Sequence, residues 1–165
     1  NQRPNLYDNS IKVPLVVRWP EQIKPGSTNL SSVSNLDWFP TLLDLTNTPM
    51  PSYVNTRGSS FVPALFDAEK LTSTDYYAAY STLHQSVTGM RMYSDGKFKL
   101  IKDYINRGRD EFYNLTDDPA ESTNLINTGD PQVQQVINQF DNIIYNKMLA
   151  TNDPLLTKVF GIHNE

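Results

Sequence analysis

The run from Val13 to Trp19 (Val-Pro-Leu-Val-Val-Arg-Trp) constrains this chain more than any other feature. Its nearly continuous apolar character reads as a strand buried on both faces, as in a parallel sheet covered by helices. Pro14 stands near its start, where a missing N–H is tolerated. Pro20 and then Lys24-Pro25-Gly26 end it with turn chemistry. Such a strand needs hydrogen-bonded neighbours, yet it follows directly on a polar, loop-like stretch from Arg3 to Lys12, with no hairpin partner in reach. The expectation is a core strand that completes a larger sheet.

Beyond it the pattern changes twice. Ser32-Val33-Ser34-Asn35 leads into a short helix that Ser34 or Asn35 caps, with Leu36, Phe39, Leu42, Leu43 and Leu45 as its apolar stripe and Pro40 in its first turn. Thr46 to Gly58 is a loop rich in Pro, Asn, Thr and Ser, and a second short helix follows near Ser60 to Phe66. From about Asp75 come short aromatic-rich runs suited to strands: Tyr76 to Ser81, Val87 to Tyr93, Phe98 to Lys102 and Glu111 to Asn114. Ser94-Asp95-Gly96 supplies a hairpin turn, so these read as an antiparallel meander. Asp130-Pro131 then opens the clearest helix. Val133, Val136, Ile137, Phe140, Ile143, Ile144 and Met148 form one face, which should bury against the meander. Thr151 to Glu165 reads as a tail or a docking arm.

Composition excludes several function classes. Nonspecific nucleic-acid binding needs a basic face, and the net charge is −4 over 165 residues. No apolar run approaches the ~20 residues that span a bilayer. There is no cysteine, which removes disulfides, thiolate metal sites and a cysteine nucleophile. Asn29-Leu30-Ser31 and Asn114-Leu115-Thr116 are glycan acceptors only in a eukaryotic secretory setting.

Four segments, in order, carry a family resemblance. Arg3 to Pro20 is similar to the strand that follows the catalytic half of type I, formylglycine-dependent sulfatases, in the alkaline-phosphatase-like superfamily. Val33 to Leu45 resembles the family's Val-Ser-x-x-Asp-x-x-Pro-Thr-Leu-Leu-Asp-Leu helix. Arg57 to Leu65 resembles x-Gly-x-Ser-Leu-x-Pro-Leu-Leu, and Glu111 to Leu125 resembles Glu-Leu-Tyr-Asp-Leu-x-x-Asp-Pro-x-Glu-x-x-Asn-Leu. Within the family, Arg3-Pro4-Asn5-Leu6-Tyr7, Met50-Pro51-Ser52-Tyr53 and His84 to Arg91 are similar to the sulfamidase (N-sulfoglucosamine sulfohydrolase) subgroup, the last with a one-residue gap and Gln85 in place of Glu.

This resemblance implies an α/β fold: the end of an alkaline-phosphatase-like sheet domain, then a C-terminal subdomain of about four antiparallel strands packed with one long helix. The expected division is 1–70 for the end of the large domain, 71–150 for the subdomain and 151–165 for a tail. The chain would be the C-terminal third of a sulfuric ester hydrolase acting on sulfated carbohydrate. Its partner would be the N-terminal catalytic part of the same enzyme, holding formylglycine and Ca2+, with an extracellular, periplasmic or lysosomal address. Sulfate ester hydrolysis needs a nucleophile, a divalent cation and charge-neutralising cations, and the resemblance puts the first two upstream of Arg3. The chain alone is therefore not expected to be catalytically competent.

Two residues are implicated by resemblance. Arg3 would place a guanidinium, a planar fork suited to an oxyanion, on the sulfate; the plainer reading is a solvated arginine tethered to Asp8. His84 would reach from a loop over the active-site mouth to a sugar hydroxyl or carboxylate; otherwise it is an exposed loop histidine. Two histidines, His84 and His163, build no metal site of usual spacing. Asp117-Asp118 with Glu121 reads as a turn with a cap rather than a calcium loop. Lys97, Lys99, Lys102, Arg107 and Arg109 form a prospective basic patch along one hairpin, for an anionic glycan or simply against edge aggregation. Tyr76, Tyr77, Tyr80 and Tyr93 are expected to pack on the sheet faces. Two rivals remain: a non-catalytic module binding anionic glycans, and a phosphonate monoesterase or phosphodiesterase relative.

Overall fold

A computed structural model describes residues 4–70, 72–83 and 86–161. The chain divides into two compact units, residues 14–74 and residues 1–13 with 75–165.

In the first unit, Ser34 caps a short 3-10 turn (Asn35–Asp37) that runs into helix α2 (Trp38–Leu45); a one-turn helix α1 (Asp8–Ile11) precedes it in the other unit. Ser34 Oγ accepts the Leu36 N–H, and Asp37 reaches back to the Ser34 N–H, a reciprocal capping box. Asp37 also accepts from Ser59 N–H, and Thr41 Oγ1 accepts from Phe61 N–H, so the loop after α2 is pinned to its first turn. Helix α3 (Val62–Phe66) follows, with Pro63 in its first turn. Trp38 packs edge-on to Phe61 with ring centroids 5.1 Å apart.

The strand expected from Val13 to Trp19 is absent. These residues form no ladder hydrogen bonds, and Val13 and Val16 are 78% and 87% exposed. A strand exists only as a partner in a ladder, and among the described residues none pairs with this segment.

The second unit holds a four-stranded antiparallel meander in the order β1 (Tyr76–Thr82), β2 (Thr88–Ser94), β3 (Phe98–Asp103), β4 (Glu111–Asn114). Each lies within a residue or two of its sequence prediction. Asp95 accepts from the N–H groups of Lys97 and Phe98, and Gly96 takes φ +89°, the left-handed backbone that the β2–β3 turn requires. The register pairs Tyr93 with Leu100 and Leu100 with Phe112. This alternation gives one face Tyr93, Leu100 and Phe112, and the other Met90, Met92, Ile101 and Tyr113.

Helix α4 (Pro131–Ala150) covers the first face. Asp130 caps it by accepting from Gln132 N–H, Pro131 opens it, and Ile137, Phe140, Ile144 and Met148 are buried, as the periodicity predicted. Phe140 meets Tyr93 edge-on at 4.8 Å. The residues after 150 dock rather than trail: helix α5 (Pro154–Phe160) buries Leu155 and Leu156 in the same core. Its cap, Asp153, accepts two hydrogen bonds from the buried Arg91 guanidinium, at 2.5 and 2.6 Å.

The opposite face is covered by residues 4–13. Leu6 is buried among Met90, Met92, Ile101 and Tyr113, with Tyr7 and Ile11 packed around it. The central strand β2 is thus buried along its whole length.

Truncating Arg91 to Met leaves Asp153 as an uncompensated buried charge, and removing one partner of such a pair costs about 3–5 kcal/mol. Urea unfolding followed by circular dichroism should show this loss; an unchanged midpoint would mean that the pair contributes nothing.

Candidate functional site

Arg3 and His84, the two residues implicated by sequence, lie outside the described residues, as do Gln85 and His163. Their chain neighbours are described. Pro4, next to Arg3, and Ser86, two residues beyond His84, line one open cleft of about 430 Å3 together with Val87, Asn106 and Arg109. Pro4 and Arg109 also border a second cleft of about 560 Å3, lined by Asn5, Tyr7, Ser10, Asp110, Glu111 and Asn124. Arg109 is therefore the charged side chain common to both.

The sheet places Arg109 through Asp103 at the end of β3. That carboxylate is fully buried, and accepts from Thr88 Oγ1 (2.6 Å), from the N–H groups of Gly89, Ile105 and Asn106, and from Asn106 Nδ2. Burial opposes its ionisation, but the hydrogen bonds outweigh it and hold its pKa below the ordinary aspartate value. Arg109 Nη1 sits 3.2 Å from this carboxylate, and Nη2 donates to the Pro4 carbonyl at 3.2 Å.

The two carboxyls that line the larger cleft behave oppositely. Burial pushes Glu111 up, although the Tyr7 and Tyr113 hydroxyls and Arg109 favour its charged form; Tyr7 donates to its Oε1 at 3.0 Å, while Oε2 is buried without a hydrogen-bond partner. Burial likewise raises Asp110.

Deeper in the same face lies a buried ion cluster. Lys99, at 0% exposure, bonds to Asp8 and to Glu121 Oε1 (2.7 Å), and reaches the Leu6 carbonyl at 3.5 Å. Asp8 also takes the Tyr76 hydroxyl at 2.9 Å and Lys12, and its N–H donates to Glu121 Oε2 at 2.6 Å. Burial opposes the Asp8 charge, and these donors more than offset it, so its pKa is lowered. Glu121 reaches inward from a left-handed backbone, φ +55°, while Asp118 caps its turn by accepting from the Ser122 and Thr123 N–H groups.

The expected basic patch is corrected by this arrangement. Lys99 points inward, Lys102 pairs with Asp141 at 2.7 Å, and Arg109 is held by Asp103. A row of cations on one hairpin alternates between faces, and here both faces are covered. What sequence reasoning missed is the role of Lys99, Glu121 and Arg109. One signal was available: Lys99 is in phase with Ile101, so any register that buries Ile101 also buries the lysine. Among the described residues no group of three or more His, Cys, Asp or Glu side chains has the geometry for a metal ion. The chain contains no cysteine.

Comparison with known proteins gives a consistent family signal. Residues 2–149 match the family described as N-sulphoglucosamine sulphohydrolase, C-terminal. The chain is 31% identical over 125 residues to an N-acetylglucosamine-6-O-sulfatase of Bacteroides thetaiotaomicron, covering 73% of this chain and 22% of that protein. It is 26% identical over 214 residues to human N-sulphoglucosamine sulphohydrolase, covering 99% of this chain and 41% of that one. A solved structure of a protein in complex with its substrate D-glucosamine-2-N,6-O-disulfate superposes with a TM-score of 0.70 at 27% identity, over 83% of this chain and 28% of the other. The chain spans well under half the length of the curated relatives it matches.

Two measurements test the site's electrostatics. Lys99→Met leaves buried Glu121 without its cation and Asp8 with Lys12 alone, a loss of about 3–5 kcal/mol. It should also raise hydrogen exchange at the Leu6 and Asp8 amides; unchanged exchange there would remove the lysine's role as anchor. The second is the pH dependence of thermal melting. Asp8, Asp103 and Asp153 have lowered pKa values, so their contribution is full above the ordinary aspartate value of 3.8 and is lost as pH falls through the lowered values. Glu111 and Asp110 are raised, so their contribution is full below their ordinary values and is lost as pH rises through the raised ones. The melting temperature should peak in weak acid. Glu111→Gln should flatten the decline toward neutral pH, and a curve unaltered by that change would count against the assignment.

Proposed function

The chain belongs to the N-sulphoglucosamine sulphohydrolase C-terminal family, and on that footing we propose that it is the C-terminal part of an exported sulfatase acting on sulfated amino sugars. The observation that carries this reading is the family match across residues 2–149, which takes in the whole β-meander and its long helix. The sulfated glucosamines named for its relatives supply the substrate class.

In this reading the chemistry is divided. The nucleophile, formylglycine, and the Ca2+ that polarises the sulfate belong to the preceding catalytic part of the same enzyme. This chain contributes Arg3, whose guanidinium would neutralise charge on the sulfate as it is attacked, and the loop bearing His84, which would contact the sugar at the mouth of the site. The extended apolar run from Val13 to Trp19 would be a strand of the catalytic part's sheet. Its exposed valines, each able to gain about 1.5–3 kcal/mol on full burial, favour that partner.

The test is turnover by the full-length protein. We expect release of sulfate from N-sulfated or 6-O-sulfated glucosamine and none from the present chain alone. Arg3→Ala should lower kcat/KM about a hundredfold or more, on the scale of losing one charge-stabilising donor. Hydrolysis of phosphonate or phosphate esters in preference to sulfate esters would instead favour the phosphoryl-transfer relatives.

A further inference from the structure

We propose that Glu111 is a pH-sensitive latch for residues 4–13. As a neutral acid it holds this strap against the sheet, and its ionisation loosens the strap. The latch goes beyond the sulfatase reading and stands without it.

The strap is built to move apart from the strands beneath it. It covers one face of the meander without joining a ladder, since the sheet consists of β1 to β4 alone. The hydrogen bonds that tie it down run through side chains. Arg109 donates to the Pro4 carbonyl, Lys99 reaches the Leu6 carbonyl, and Tyr7 donates to Glu111. Asp8 bonds to Lys99 and Tyr76, and its N–H donates to Glu121. At its far end Val13 is exposed. Opening the strap uncovers Leu6 and the face around Met92 but breaks no ladder bond, the pattern of a local opening that lies below global unfolding in free energy.

Glu111 is the first residue of β4 and lies under this strap. Tyr7 donates to its Oε1 at 3.0 Å, and the Tyr7 ring meets Tyr113 edge-on with centroids 6.1 Å apart. Oε2 is buried without a hydrogen-bond partner. A protonated carboxyl loses little in such a place. An ionised one holds a charged oxygen away from water, and lifting the strap returns it to solvent. The groups that face Glu111 come from four elements: Tyr7 from the strap, Tyr113 from its own strand, Arg109 from the loop between β3 and β4, and Glu121 from the loop after β4. Burial raises its pKa, with Glu121 acting in the same direction, and outweighs the two hydroxyls and the guanidinium, which favour the charge. Asp110 lines the same cleft and is raised by burial as well. Further along the strap, the bonds to Asp8 hold its pKa below the ordinary value. These signs define a window. The Asp8 contribution is lost as pH falls through its lowered value, and the Glu111 contribution is lost as pH rises through its raised one. Between the two the strap is held most firmly.

The experiment is amide hydrogen exchange, followed by NMR on the whole chain from weak acid to neutral pH, with each rate divided by that of an unstructured peptide at the same pH. The Asp8 amide, which donates to Glu121, reports on the strap, and the Met92 amide, on the buried strand β2, reports on the sheet. Protection at Asp8 should fall at least about threefold toward neutral pH while protection at Met92 holds. In Glu111→Gln, whose side chain stays neutral, protection at Asp8 should stay level across the range. Asp110→Asn should keep the wild-type decline. The latch is overturned if both amides lose protection together, if Glu111→Gln declines as the wild type does, or if Asp110→Asn abolishes the decline. Should Glu111→Gln fail to fold by circular dichroism, the carboxyl carbon shift of Glu111 is titrated in the wild-type chain. A midpoint above the ordinary glutamate value of 4.5 that coincides with the loss of Asp8 protection supports the latch, and any other midpoint overturns it.

Discussion

The sheet unit depends on a lysine that has no water. Lys99 emerges from the centre of a sheet face and is closed over by Asp8 from one end of the chain and Glu121 from the loop after β4. Taking an ammonium and two carboxylates out of water costs several kcal/mol per ion unless geometry and extra hydrogen bonds return it. Here the return comes from Tyr76, Lys12 and the Asp8 N–H, which leave no oxygen of Asp8 or Glu121 to be satisfied by chance. Such a cluster is an expensive way to gain stability. Its stronger effect is specificity: residues 4–8 can lie on this face in one register only, because any slip would part Asp8 from the ammonium and its own N–H from Glu121.

That constraint explains why the two best-defined motifs stand so far apart in sequence. Tyr7-Asp8 and the Asp118-to-Glu121 turn are meaningless as neighbours until a lysine from neither motif joins them. Glu121 even takes a left-handed backbone to reach it, a conformation a non-glycine residue adopts at a cost of order 1 kcal/mol. The opposite face is built by a different logic. There Tyr93, Phe112, Phe140 and Ile144 make an ordinary apolar core, and one buried ion pair, Arg91 with Asp153, fastens the last helix.

These two logics differ in how legible they are from residues alone. The meander and α4 follow from period and punctuation: Asp95-Gly96 turns, Asp130-Pro131 caps, and the Ile137-to-Met148 stripe faces the sheet. The Lys99 cluster does not, because a lysine in a strand reads as exposed unless its face is known to be covered. The cover is residues 4–13, separated from β3 by most of the chain, and no local pattern announces a contact of that range. The run from Val13 to Trp19 fails for the complementary reason. Its composition states an intrinsic preference for burial, but a strand is a relation between segments, and among the described residues its partners are missing. Arg3 and His84 are candidates through resemblance alone, since one arginine and one histidine carry no chemistry without neighbours.

Residues 4–8 are held to the sheet unit by three different kinds of contact. Leu6 is buried, Asp8 is locked into an ion cluster, and the Pro4 carbonyl is held by a guanidinium whose own anchor is a fully bonded, buried aspartate. Rigidity is thereby concentrated in residues 4–8. A sheet can do this better than a loop: Asp103 and Lys99 sit on one strand, four residues apart on the same face, so the two anchors hold a fixed spacing set by the strand's own rise. The β-meander thus sets the distance between two clasps.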